Sequence, residues 1–79
     1  MCTRVYILLE TTEGKSDKVA QDLRLKPGVV MVDLVEGPPD IVVTIEASER
    51  QQLAQYLMPA LAVVDSVAED LHILVAHDD

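Results

Sequence analysis

The stretch VEGPPDIVVTIE, residues 35–46, sets two prolines, a glycine and an aspartate between runs of aliphatic and β-branched residues. Pro38 and Pro39 have no backbone N–H and hold φ near about −65°, so neither fits inside a sheet ladder and both flanking runs must stop at them. The segment is a corner, and the sequence around it reads as a hairpin in which residues 29–36 (VVMVDLVE) and 40–47 (DIVVTIEA) are the two strands.

Upstream, TRVYILLET at residues 3–11 alternates Val5, Ile7 and Leu9 against Arg4, Tyr6, Leu8 and Glu10, the period of a strand. Glu13, Gly14 and Lys15 turn the chain into a helix. There Ser16 is the expected N-cap, Asp17 sits in the first turn, and Val19, Ala20 and Leu23 make the apolar stripe, with Pro27 and Gly28 ending it. Downstream, Ser48-Glu49-Arg50-Gln51 has capping-box spacing and opens a second helix. Its apolar positions are Leu53, Ala54, Leu57, Ala60, Leu61 and Val64, and Pro59 is expected to kink it or end it early. Residues 67–76 form a last strand, with Leu71, Ile73 and Val75 on one face and Asp70, His72 and Leu74 on the other. The polar tail His77-Asp78-Asp79 is expected to fray.

Strand, helix, strand, strand, helix, strand is a duplicated split βαβ unit. The expected fold is α+β: a ferredoxin-like βαββαβ sandwich in which a four-stranded antiparallel sheet carries two helices on one face. Residues 1–79 then make one domain. A chain this short buries only roughly 60% of the surface it exposes when unfolded, so a single copy is marginal. The sheet face without helices carries Tyr6, Leu8, Met31, Val35, Val42 and Leu74 by alternation, more apolar surface than a solvated face usually shows. Sheet-to-sheet pairing of two copies, a dimeric α/β barrel, is the expected remedy.

Composition removes several function classes. Fourteen acidic against six basic residues give a net charge of −8, which repels phosphate backbones, and with only Tyr6 and Tyr56 as aromatics there is no base-stacking platform; direct nucleic-acid binding is not expected. Cys2 is the single cysteine, so no internal disulfide forms and no zinc-type Cys/His spacing exists. No apolar run approaches the roughly 20 residues that span a bilayer, and no secretory leader is apparent, so a soluble cytoplasmic protein is expected. The chain has no Gly-x-Ser-x-Gly elbow, no phosphate loop and no histidine close in sequence to Cys2. No catalytic residue, metal site or cofactor is therefore expected.

Three segments together, RVYILLETTEGKSDKVAQDLRLKPGV, VDLVEGPPDIVVTIEA and VAEDLHILVA, resemble the effector-binding (RAM) domain of the Lrp/AsnC transcription regulators in its stand-alone form, without a DNA-binding domain. The resemblance rests on a strand ending in Glu-Thr before a Gly-Lys turn, on Pro-Gly-Val opening the second strand, and on Gly-x-x-Asp between the next two. It implies a regulatory domain that binds a small molecule, in that family an amino acid, near a dimer interface. It also implies assembly of dimers into rings and co-assembly with a longer Lrp/AsnC-type regulator. Carried onto this chain, it makes Gly37 the point where backbone approaches a ligand carboxylate and Asp40 the partner of the ligand's polar head. Three departures accompany it: Pro39 stands where the family often has an aromatic residue, Asp70 and His72 replace a Thr-x-Thr pattern on the last strand, and Lys26, with Leu25 displaced, precedes Pro-Gly-Val where the family tends to have an apolar residue.

Asp70 and His72 are thus the second pair of candidate ligand-binding residues, an acid and a titratable imidazole two apart on one strand face. The plainer account of His72 is a half-buried side chain hydrogen-bonding across the dimer, and of Gly37 and Asp40 a stiff turn in which Asp40 bonds its own backbone. Two other functions fit the same element order: an assembly module without ligand, and a cofactor-free dimeric α/β-barrel monooxygenase or isomerase. The enzyme would need a pocket with aromatic walls, in which this chain is poor.

Overall fold

The computed structural model describes residues 3–76; Cys2 and His77 lie outside the described residues. The elements are β1 (Thr3–Thr11), α1 (Ser16–Arg24), β2 (Val29–Leu34), β3 (Ile41–Ala47), α2 (Arg50–Val64) and β4 (Ala68–Val75). They form one antiparallel sheet in the order β2-β3-β1-β4, the ferredoxin-like βαββαβ arrangement. No helix among the described residues is long and apolar enough to cross a membrane.

The alternation in β1 explains the layering. Val5, Ile7, Leu9 and Thr11 are buried, and the first three pair across the ladder with Ile45, Val43 and Ile41 of β3, also buried. Onto this face pack Val19, Ala20 and Leu23 of α1 and Leu53, Ala60 and Val64 of α2. Leu9, Leu23, Ile41 and Ile45 are among the largest fully enclosed side chains, and removing one to alanine at such a site costs about 2–5 kcal/mol.

Several boundaries differ from the sequence expectation for identifiable reasons. Strand β2 ends at Leu34 and β3 begins at Ile41, so Val35 belongs to the corner; its N–H still donates to the Asp40 carbonyl at 2.9 Å, closing the hairpin just beyond the ladder. Ser16 is the first helical residue instead of the cap, and Lys15 holds the N-cap position without a side-chain bond. At α2 the reach-back comes one residue later than expected: the Ser48 amide and hydroxyl donate to Gln52 Oε1 at 3.1 and 2.8 Å, and Glu49 takes the N-cap. The helix runs through Pro59 to Val64.

Candidate functional site

Pairing of β1 with β4 sets Leu8 opposite His72 and Glu10 opposite Asp70, on the face away from the helices. The corner between β2 and β3 closes over one end of this face. Together they shape a hollow of about 160 Å³ lined by Leu8, Glu10, Pro38, Pro39, Asp70 and His72. A larger hollow of about 530 Å³ lies beside Gly28 and Tyr56, but it is a shallow dish. The smaller one gathers side chains from three separate segments, two strands and the corner, around an apolar floor.

Its polar groups are two carboxylates and an imidazole. His72 Nε2 lies 3.4 Å from Asp70 Oδ2, and Asp70 Oδ1 accepts from the Leu71 N–H at 3.0 Å. The His72 and Asp70 side chains keep 68% and 62% of their surface exposed, so in one copy His72 is open to solvent. The two prolines offer no N–H, and no lysine or arginine lines the hollow, which therefore suits a group that donates hydrogen bonds or carries positive charge. Among the described residues no three His, Cys, Asp or Glu side chains stand close enough to hold a metal ion.

Gly37 and Asp40 are placed differently. Neither lines the hollow. A Cβ at Gly37 would run into the carbonyl oxygen of Pro39, so the turn's own backbone requires the glycine. Both oxygens of the Asp40 carboxylate accept from Thr11: Oδ1 from the backbone N–H at 3.0 Å and Oδ2 from the hydroxyl at 2.8 Å. The backbone of Asp40 is also tied, its N–H donating to the Leu9 carbonyl at 3.0 Å. The structure thus brings Asp70 and His72 together with the two prolines, while Gly37 and Asp40 stand behind that wall.

Sequence reasoning missed Glu10 and Thr11 as members of this region. Glu10 faces Asp70 only through a strand register that the sequence does not specify, and Thr11 meets Asp40 across 29 residues. At the other end of the same face, Arg4 Nε donates to Glu46 Oε2 at 3.0 Å and Nη1 to the Tyr6 hydroxyl at 3.2 Å. These two bonds, the tyrosine's first, favour the charged guanidinium and raise its pKa.

No protein-family model matches the chain, and no curated protein matches it. Solved structures do. A hypothetical protein from Pyrococcus horikoshii superposes with a TM-score of 0.81 at 24% identity, over 100% of this chain and 93% of that one. FFRP-DM1 superposes with a TM-score of 0.79 at 25% identity, over 98% and 100%. A transcriptional regulator from Neisseria meningitidis, in complex with L-Met, superposes with a TM-score of 0.69 at 11% identity, over 98% of this chain but only 51% of the regulator.

Proposed function

The fold is the RAM-domain-like one found among Lrp/AsnC-family proteins, and on that premise we propose that this chain is a small-molecule-binding regulatory domain, a binding rather than a catalytic module. The observation that carries the reading is the hollow at the end of the open sheet face, where Asp70 and His72 meet the proline corner over Leu8. In this reading Asp70, His72 and Glu10 contact the ligand's polar head, and Gly37 and Asp40 hold the wall. An amino acid, bound through its ammonium group, is the proposed ligand class, with L-methionine the first probe because the Neisseria regulator was solved with it. The domain works as a dimer through its open sheet face, and co-assembly with a longer regulator is the proposed route to transcription.

A thermal-shift screen against L-amino acids, amines and small carboxylates tests this. A ligand at a hundred times its Kd adds about 2.7 kcal/mol to stability, on the order of 10–20 °C in a domain of this size. Asp70→Ala and His72→Ala should each reduce that shift while leaving the unliganded melting temperature close to wild type, because both side chains are exposed. A shift undiminished in both variants would place the ligand elsewhere. If no compound shifts the transition, the reading gives way to an assembly module without ligand. One observation favours that second reading: each oxygen of the Asp40 carboxylate already accepts a hydrogen bond from within the chain.

A further inference from the structure

Three hydrogen bonds, all through Asp40, tie the corner of residues 35–40 to the end of β1. Thr11 donates its N–H and its hydroxyl to the two Asp40 oxygens at 3.0 and 2.8 Å, and Asp40 N–H donates to the Leu9 carbonyl at 3.0 Å. Thr11 is buried, 6% exposed, so leaving its N–H or hydroxyl unpaired would cost free energy, and the partly exposed Asp40 carboxylate supplies a partner for each. The next residue ties the opposite side. Thr12 donates its N–H and its hydroxyl to the Val67 carbonyl at 2.9 and 3.1 Å, just ahead of β4. Between Glu10 and Thr11 the β1–β4 register shifts, so that Thr11 pairs with Ala68 whereas Glu10 pairs with Asp70. The dipeptide Thr11-Thr12 therefore anchors both the corner that bears Pro38 and Pro39 and the start of the strand that bears Asp70 and His72.

We infer that Asp40 is a positioning residue: through Thr11 it fixes the distance of the proline wall from His72 and Asp70, and it does not itself contact what the hollow holds. The inference deepens the proposed binding site and rests on it for its purpose, but its geometry stands without any ligand. It also gives one cause to two features noted separately in the sequence, the Glu-Thr end of the first strand and the aspartate of Gly-x-x-Asp, which are the two halves of a single clamp.

A clamp needs an acceptor for the Thr11 N–H and a partner for its hydroxyl, not a negative charge. Asparagine supplies both, because its oxygen can accept from the N–H while its amide donates to the hydroxyl. The test is carried out on the full chain without ligand, with two readouts. The first is the NMR resonances of the His72 ring, separated from those of His77, the only other histidine, by a His77→Gln background. These report the wall, since His72 lines the hollow with Pro38 and Pro39. The second is amide exchange at positions 11, 35 and 40.

Asp40→Ala is expected to move the His72 resonances and to speed exchange at these amides on the order of tenfold. Thr11→Val, which keeps the backbone bond and loses the hydroxyl, should give part of the same change. The Asp40→Ala/Thr11→Val double variant should go no further than Asp40→Ala, while Asp40→Asn and Thr11→Ser should stay near wild type. The inference is overturned if Asp40→Asn moves the readouts as far as Asp40→Ala, because charge would then be the active property. It is equally overturned if Thr11→Val leaves them at wild type, or if the two changes add. A failed ligand screen would sink the binding function and leave these outcomes untouched.

Discussion

Gly28 shows how a single residue can be fixed by two constraints at once. Its φ of 81° lies in the left-handed region, and a Cβ there would strike the ring of Tyr56. Alanine must therefore adopt a conformation costing about 1–2 kcal/mol and also displace a packed ring, an overpacking cost of about 1–3 kcal/mol. Gly28→Ala is expected to lower stability by roughly 2–5 kcal/mol in a denaturant titration. Adding Tyr56→Ala should recover part of the loss, giving a double variant less destabilised than the sum of the singles. A loss below about 1 kcal/mol would show that neither constraint is felt. The Pro-Gly punctuation was readable in the sequence, but the ring was not: Tyr56 is about a third of the chain away and reaches Gly28 only once α2 lies on the sheet. The same holds for Arg4 with Glu46 and for Thr11 with Asp40, joined across 42 and 29 residues by strand register. Pairings of this kind set the candidate site, which is why Asp70 and His72 could be named from one strand's alternation while Glu10 and Thr11 could not.

Elements were more legible because they depend on local periodicity. Alternation alone places β1 at residues 3–11, the bounds that the structure has, since every second residue faces a buried layer. The proline corner predicts the hairpin, although the strands stop short of it by one or two residues because the two prolines and Gly37 cannot hold a ladder. Pro59 is the instructive exception. Its ring removes one backbone bond, yet α2 continues to Val64, with Leu57, Leu61 and Val63 packed against the core and Ala60 and Val64 buried in it. Burial of these side chains outweighs the lost bond, a tertiary effect invisible to local rules. Pro59→Ala should then restore the bond without disturbing that packing and raise stability by about 1–3 kcal/mol, read as an increased denaturation midpoint at unchanged slope. A lowered midpoint would mean that the proline's shape, or its restriction of the unfolded chain, contributes more than the missing hydrogen bond.

At the scale of the molecule, helices cover one side of the sheet and leave the other to solvent. The Cα extents of 37 × 21 × 16 Å describe a slab two layers thick. On its open face Tyr6 and Leu8 of β1 pair with Thr44 and Val42 of β3 and with Leu74 and His72 of β4, and Met31 of β2 stands opposite Thr44. Met31 and Leu74 are 53% and 51% exposed, an apolar surface that a second sheet would bury. Strand β4 complicates the choice of partner surface, because Ile73 and Val75, which share the helix side with buried Ile7 and Val5, are themselves 38% and 48% exposed. An edge strand whose last residues, Ile73 to Val75, are apolar on both faces can pair through either face there. Two substitutions separate these cases. Leu74→Asp puts a charge on the open face at a site already half exposed, so it costs a single copy little and a buried sheet-to-sheet interface several kcal/mol. Leu8 is the poorer choice because it also floors the hollow. Val75→Lys marks the helix side of the same strand. Sheet-to-sheet pairing predicts that sedimentation velocity at micromolar concentration finds a dimer or a multiple of one for the wild type and for Val75→Lys. For Leu74→Asp it predicts a folded single copy, its circular dichroism unchanged. If Val75→Lys dissociates the assembly and Leu74→Asp does not, the contact lies on the helix side of β4. If the wild type sediments as a folded single copy, the open face is not an interface between copies of this chain.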